Sequence, residues 1–255
     1  MLRIGRDEPV LFASDMHLSV DGPRTAERFL RALGEHGGAA SHLFLLGDLF
    51  ELWVGDDAPD ALAEALAARL AGLSARGVRI WLMRGNRDFL LGVPLPTGGL
   101  PGFEARCGAR LLPDPCPLEL HGEPALLTHG DTLCTDDAVY QAWRRTCREP
   151  AWQQAFLARP LAQRLAMGRA LRENSEAGRR ERPDVLMDVN AETVDRVMSG
   201  AGVGLLIHGH THRPADHRWR IGGREHRRVV LTDWDGEAGR GEWLRWQSGV
   251  AQPLG

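Results

Sequence analysis

Five short apolar runs, each closed by a carboxylate, an amide or an imidazole, constrain this chain more than any other feature. Val10–Ser14 leads into Asp15, Leu43–Leu46 into Gly47-Asp48, and Val78–Met83 into Gly85-Asn86. Ala125–Thr128 leads into His129, and Val203–Ile207 into His208-Gly209-His210. Runs of this length bounded by polar residues read as buried strands. Between them, Arg24–His36 shows helical spacing at Phe29, Leu30 and Leu33 and stops at Gly37-Gly38, and Asp60–Arg76 is Ala/Leu-rich and helical. Strands alternating with helices predict an α/β fold with a mixed or parallel sheet and helices outside. In such sheets sites form beyond the carboxyl ends of the strands, so the five polar tips are expected to meet.

At 255 residues the chain suits a single domain over 1–255. Thr135–Glu176 breaks the strand series and reads as part of an inserted helical cap over 133–190, while Trp219–Trp246 holds short alternating stretches such as Arg228–Thr232 that predict further strands. Positive charge collects in the insertion: Tyr140–Arg182 carries ten arginines against four glutamates, a net +6 in a chain of net charge −3. All 31 basic residues are arginine, which fits biased base composition and also suits bidentate phosphate binding. Cys107, Cys116, Cys134 and Cys147 form no C-x-x-C pair, so a zinc ribbon or redox motif is not expected. Met1–Val10 has no apolar secretory core, and no apolar run nears the roughly 18 residues that span a bilayer. A cytoplasmic protein with reduced thiols is expected, able to rest on a membrane surface.

The polar tips are metal-ligand types. Oxygen and imidazole donors without thiolate suit Mn²⁺, Fe or Zn²⁺, and a two-metal hydrolase needs such a mixed set with one bridging carboxylate, its ions about 3.5–4 Å apart. Alternation along an extended chain would put Asp15 with His17, and His208 with His210, on common faces. In order and rough spacing, Asp15-Met16-His17, Gly47-Asp48, Gly85-Asn86-Arg87-Asp88, Thr128-His129-Gly130 and Gly209-His210-Thr211-His212 resemble the D-x-H, G-D, G-N-H-[DE], H and G-H-x-H pattern of the calcineurin-like metallophosphoesterases. The resemblance implies a four-layer αββα sandwich with the site at the strand ends. Residue by residue, it implies one ion held by Asp15, His17, Asp48 and His210, and another by Asp48, Asn86, His129 and His208, with Asp48 bridging. His212 falls outside both sets. His36, His42, His121, His217 and His226 match no motif and are assigned to surface or loop positions.

Arg87 stands where the common pattern has a histidine credited with protonating the leaving group. Arginine is no acid at neutral pH, so a leaving group that departs as a stable anion is expected, with Arg87 stabilising charge on a pyrophosphate. Further stretches, His129-Gly130-Asp131-Thr132-Leu133-Cys134-Thr135-Asp136-Asp137, Arg172-Glu173-Asn174-Ser175, Met187-Asp188-Val189-Asn190 and His208 to Pro214, resemble one branch, the UDP-2,3-diacylglucosamine hydrolases of lipid A biosynthesis. That branch implies two divalent ions, Mn²⁺ as a rule, and attack of activated water on the α-phosphorus, giving UMP and 2,3-diacylglucosamine 1-phosphate. It implies a monomer at the cytoplasmic face of the inner membrane, acting on a lipid-linked nucleotide and not on nucleic acid. Catalytic roles carry over to Asn86 and Arg87, and substrate contacts to Asn86, Arg87, Asp137, Ser175, Arg179, Arg182 and His208. Arg179 departs from the Asn often found at its position, which leaves that contact open; Arg182 keeps the charge of a lysine. Trp143, Trp152, Phe156, Leu157, Leu161, Leu165 and Leu171 beside the cap arginines suit an acyl chamber, or a self-packed helical hairpin with a solvated basic face. A pyrophosphatase or phosphodiesterase for soluble nucleotides, and a non-catalytic lipid-binding module, are the alternatives.

Overall fold

The apolar runs form the inner strands of two six-stranded sheets in the computed structural model. It describes the main chain of residues 1–99, 101–181 and 188–254, and their side chains outside 174–181. The chain opens with β1 (Leu2–Ile4) and β2 (Val10–Ala13). It then alternates through α1 (Pro23–His36), β3 (His42–Leu46), α2 (Ala61–Ala75), β4 (Arg79–Met83), α3 (Phe103–Arg106) and β5 (Ala109–Leu111). A hairpin of β6 (Cys116–Leu120) and β7 (Glu123–Leu127) follows. Three helices, α4 (Ala138–Cys147), α5 (Pro150–Leu157) and α6 (Leu161–Glu181), then precede α7 (Ala191–Ala201) and β8 (Leu205–His208). β9 (Ala215–Ile221), β10 (Arg224–Val230), β11 (Trp243–Gln247) and β12 (Val250–Leu254) complete the order. Helix starts follow local chemistry: Pro23 opens α1, and the side chains of Asp60, Asp137 and Asn190 cap the N-termini of α2, α4 and α7.

One sheet runs β12-β11-β2-β3-β4-β5 and the other β1-β6-β7-β8-β10-β9. The strands β2 to β5 are parallel, as are β7, β8 and β10. Strands covered on both faces are apolar throughout, and here alternate residues divide between two cores. Leu11, Leu43, Leu45, Ile80 and Leu82 pack outward against α1 and α2, with Phe29, Leu33, Leu66 and Leu70. Val10, Phe12, Phe44, Leu46, Trp81 and Met83 face the second sheet, meeting Leu118, Leu120, Leu127, Leu205 and Ile207. Leu126 and Leu206 face outward again, onto Val194 and Met198 of α7. The layers are thus α, β, β and α. Phe12, Phe44 and Trp81 stack across three neighbouring strands, with centroid separations of 5.0 and 5.9 Å. Such pairs add to the burial that dominates each core.

Two histidines depart from expectation. His42 and His226, assigned to the surface or loops, lie buried within β3 and β10. Burial is tolerable because polar partners are at hand: Trp81 Nε1 donates to His42 Nδ1 at 3.0 Å, and His226 Nδ1 lies 3.2 Å from the Arg224 carbonyl. All four cysteines are free and buried.

Two of the three helices after β7, α4 and α6, are tied to the strand-end loops by buried charge. Arg164 on α6 is 3% exposed; it donates to the Val54 carbonyl at 2.8 Å and pairs with Asp57. Asp131, fully buried, accepts from Tyr140 Oη at 2.7 Å and Arg144 Nε at 2.8 Å, both on α4. Truncating Phe44 to alanine, in the middle of the aromatic stack, should cost about 3–5 kcal/mol. Denaturant unfolding should show a lower midpoint with an unchanged slope.

Candidate metal centre

All five strand ends converge, but not through strand alternation. Asp15, His17, Asp48, His210 and His212 lie beyond their strands, each with a positive φ between 47° and 69°. Left-handed backbone costs a non-glycine residue on the order of 1–3 kcal/mol and persists only where the surroundings enforce it. Among the described residues, the other non-glycine positions of this kind are His121 and Ser248. The enforcing contacts are loop to loop: Asp15 N–H donates to the Gly47 carbonyl, His17 N–H to the Asp48 carbonyl, and Gly209 N–H to the His129 carbonyl. Glycine is required where these loops touch. A Cβ on Gly85 would lie 2.1 Å from Asp48 Oδ1, and one on Gly209 would lie 2.1 Å from Asp15 Oδ2.

The side chains sort into two groups that share Asp48. In the first, His17 Nε2 lies 3.2 Å from His212 Nε2, 3.9 Å from Asp15 Oδ1 and 3.8 Å from Asp48 Oδ2. Asp15 Oδ1 is buried without a hydrogen-bond partner and sits 3.5 Å from His212 Nε2. In the second, Asn86 Oδ1 lies 3.0 Å from His129 Nε2 and 2.8 Å from His210 Nδ1, and Asp48 Oδ1 is 3.8 Å from His129 Nε2. His129 Nδ1 donates to the Leu46 carbonyl at 2.9 Å, which turns Nε2 toward the Asn86 amide oxygen. Donor atoms that converge on one another rather than on hydrogens suit divalent cations. The electrostatics agree. Burial would lower His129, but the Asp48, Asp15 and Asp131 carboxylates outweigh it and raise the imidazole to about 9. Burial would likewise raise Asp15, yet His212, His129 and His17 hold it well below the usual carboxylate range. The pocket attracts positive charge strongly.

His208 and His210 are the expected pair, but the side chains the structure brings to the two groups are those of His210 and His212. His208 is the last residue of β8 and shares the outward side of Leu206. Its Nδ1 donates to the Gly209 carbonyl at 2.8 Å and its Nε2 accepts from Arg228 at 3.3 Å. Burial lowers it to about 4, so it is neutral and faces neither group. The sharp turn at Gly209 then carries His210 and His212 inward. Taken literally, the Gly-His-x-His pattern already falls on 210 and 212; its carry-over to 208 and 210 is what differs from the structure.

Further residues hold the two groups in place. Glu51 Oε2 lies 2.8 Å from His17 Nδ1, and Asp233 Oδ2 lies 3.8 Å from His212 Nδ1. Carboxylates behind metal-facing imidazoles orient them. Asp88, wholly buried, accepts from Leu49 N–H and Gly85 N–H at 2.7 Å, latching two loops together, and burial beside Asp48 raises it to about 6. Arg87 N–H donates to Asp48 Oδ1 at 2.7 Å. The Arg87 side chain and Asn86 line a cavity of about 250 Å³, walled by Leu52, Phe89, Tyr140, Trp143, Trp152 and Phe156. Asp137 caps α4 by accepting from Tyr140 N–H. Ser175 and Arg179 fall on the last turns of α6, where side chains are not described, and Arg182 lies outside the described residues. Glu51 and Asp233 escape sequence reasoning, because each acts through a neighbour distant in the chain, and Asp88 stands in the quoted motif without a role assigned to it.

Comparison with known proteins follows the same lines. Residues 8–214 match the model of the calcineurin-like phosphoesterase family. A UDP-2,3-diacylglucosamine hydrolase of Stenotrophomonas maltophilia is 46% identical over 231 residues, covering 88% of this chain and 90% of the relative. One of Pseudomonas aeruginosa is 46% identical over 226 residues, covering 89% and 91%. Another, of Aromatoleum aromaticum, is 44% identical over 244 residues, covering 96% and 95%. With the family's ordered polar tips meeting at one edge of a two-sheet sandwich and its model matched over most of the length, the chain belongs to the calcineurin-like phosphoesterases.

Proposed function

We propose that this protein hydrolyses the pyrophosphate bond of UDP-2,3-diacylglucosamine. Water forms a bond to the α-phosphorus, the P–O bond to the bridging oxygen breaks, and UMP and 2,3-diacylglucosamine 1-phosphate leave. The observation that carries this reading is the cavity: Asn86 and Arg87 on one wall, and Phe89, Trp143, Trp152, Phe156 and Leu171 on the others. A phosphate-binding wall continuous with an aromatic chamber suits an anionic lipid better than a soluble nucleotide. The names of the relatives point the same way.

Asp15, His17, His212 and one oxygen of Asp48 would hold one divalent ion; Asn86, His129, His210 and the other Asp48 oxygen would hold a second. Manganese suits this set of carboxylate, amide and imidazole donors. Such ions supply Lewis acidity toward a phosphoryl oxygen and bring water to a reactive protonation state near neutral pH. Asn86 orients the phosphate. Arg87 stabilises the charge that gathers on the departing phosphate, which needs no proton. Its backbone N–H meanwhile fixes the Asp48 oxygen that faces His129.

We place the protein at the cytoplasmic face of the inner membrane, as a peripheral monomer. No helix among the described residues is long and apolar enough to cross a bilayer. Val139 on α4 and Leu161 on α6 are exposed at 71% and 38%, in helices that also expose Arg145 and Arg169. Apolar tips among arginines suit an anionic lipid surface.

Three outcomes are expected. Arg87→Ala should lower the rate of UMP release by about 10²–10³ with bound manganese retained, since one charge-stabilising donor is lost; wild-type rates would remove Arg87 from the reaction. Equal turnover of UDP-sugars or a chromogenic diester would sink the lipid reading. His212→Ala should lower the metal bound per chain after dialysis, while His208→Ala should retain it, both measured by elemental analysis. Because His129 must give up a proton held up to about 9, metal affinity should weaken as pH falls below that value and binding should release protons, detectable calorimetrically in buffers of different ionisation enthalpy.

A further inference from the structure

We infer that Glu51 is a positioning residue that couples Arg87 to helix α6. Resting on the functional reading above, it assigns a role to a side chain outside both proposed ligand sets. Glu51 is largely buried, its side chain 13% exposed. Each carboxylate oxygen has its own work. Oε2 lies 2.8 Å from His17 Nδ1, while Oε1 lies 2.9 Å from Arg172 Nε and 3.7 Å from Arg87 Nη1. One side chain therefore joins the loop after β2, the loop after β4 and α6. Glu51, Arg87 and Arg172 all line the cavity that Asn86 opens onto.

Charge explains why the junction needs an acid. Two guanidiniums drawn to one oxygen repel each other, and repulsion is stronger away from bulk water. With Glu51 ionised the trio carries a net single positive charge toward the cavity, enough to favour an anionic phosphate. Without it, the two guanidiniums lose the carboxylate oxygen they share. Arg87 has little else to set its direction: its Nε is buried without a hydrogen-bond partner, and Glu51 is the carboxylate paired with it among the described residues. For α6 the contact is a second fastening. Arg164 ties the first turn to Val54 and Asp57; Arg172 lies about two turns further on, at 3.6 residues per turn. Movement of α6 at Arg172 would thus be felt at Arg87 through a shared carboxylate.

The test uses the full chain with manganese and three variants: Glu51→Gln, Arg172→Gln and the double variant. Glutamine keeps the shape of Glu51 and removes its charge. Hydrogen exchange of the α6 amides at 165–173 should speed up by about tenfold in Glu51→Gln, as local opening becomes easier. Its kcat for UMP release should fall by about a hundredfold, as expected for a misplaced catalytic group. Adding Arg172→Gln should cost little more, because both changes break one junction. Wild-type exchange along α6 in Glu51→Gln, strictly additive losses, or a kcat restored by saturating manganese would each overturn the proposal; the last would reduce Glu51 to a support for His17. If Glu51→Gln does not fold, Arg172→Gln alone carries the test, with faster exchange expected and wild-type exchange overturning it. The exchange measurement needs no substrate. A wild type that releases no UMP therefore overturns the functional reading, and exchange still decides the coupling.

Discussion

Asp48 is the point on which the rest of the centre depends. It is 2% exposed, at the end of a central strand, with one oxygen turned to His17 and the other to His129. An isolated buried carboxylate is expensive, so everything near it answers that charge. Arg87 N–H donates to it, imidazoles gather on both sides, and Gly85 brings the neighbouring loop against it where a side chain would not fit. The left-handed backbone of Asp15, His17, His210 and His212 follows from the same demand. Loops that turn sharply enough to aim at one carboxylate leave the extended conformation of their strands.

The two cores make that geometry possible. Because β2, β3 and β4 are apolar on both faces, they are clamped between α1 and α2 outside and the second sheet inside. Strand ends fixed from both sides keep short loops in register to within a hydrogen bond. The second sheet brings β7 and β8 to the same edge, so His129 and His210 arrive from across the interface. A single sheet could supply one side of the centre only.

Above it, α4 and α6 are held by ionic contacts as well as by apolar packing. Asp131 binds Tyr140 and Arg144, Arg164 binds Asp57, and Glu51 binds Arg172. Each acid belongs to a strand-end loop and each partner to a helix. The basic composition of this stretch, read from the sequence as one patch of charge, is thus partly internal: several arginines reach down into the body. Those that stay exposed, Arg145 and Arg169 among them, are left for the surface.

The apolar runs, their polar tips and their order were legible in the sequence, since burial on both faces demands continuous apolar residues and a loop demands that they stop. From these follow the α/β class, the convergence at the strand ends and most of the ligand candidates. Strands such as β1, β5 and β12 were not legible, being short and pairing at or near sheet edges where the pattern is weak. Which histidines face the centre was decided only by tertiary structure. His208 and His212 are equivalent as residue types, and each stands two residues from His210, so alternation does not separate them. The chain leaves its strand at Gly209, however, and beyond that point direction is set by the loops packed against it. Glu51 and Asp233, and the role of Asp88, were out of reach for the same physical reason: their chemistry lies in what they touch, and those contacts exist only once the two sheets and the helices above them have closed.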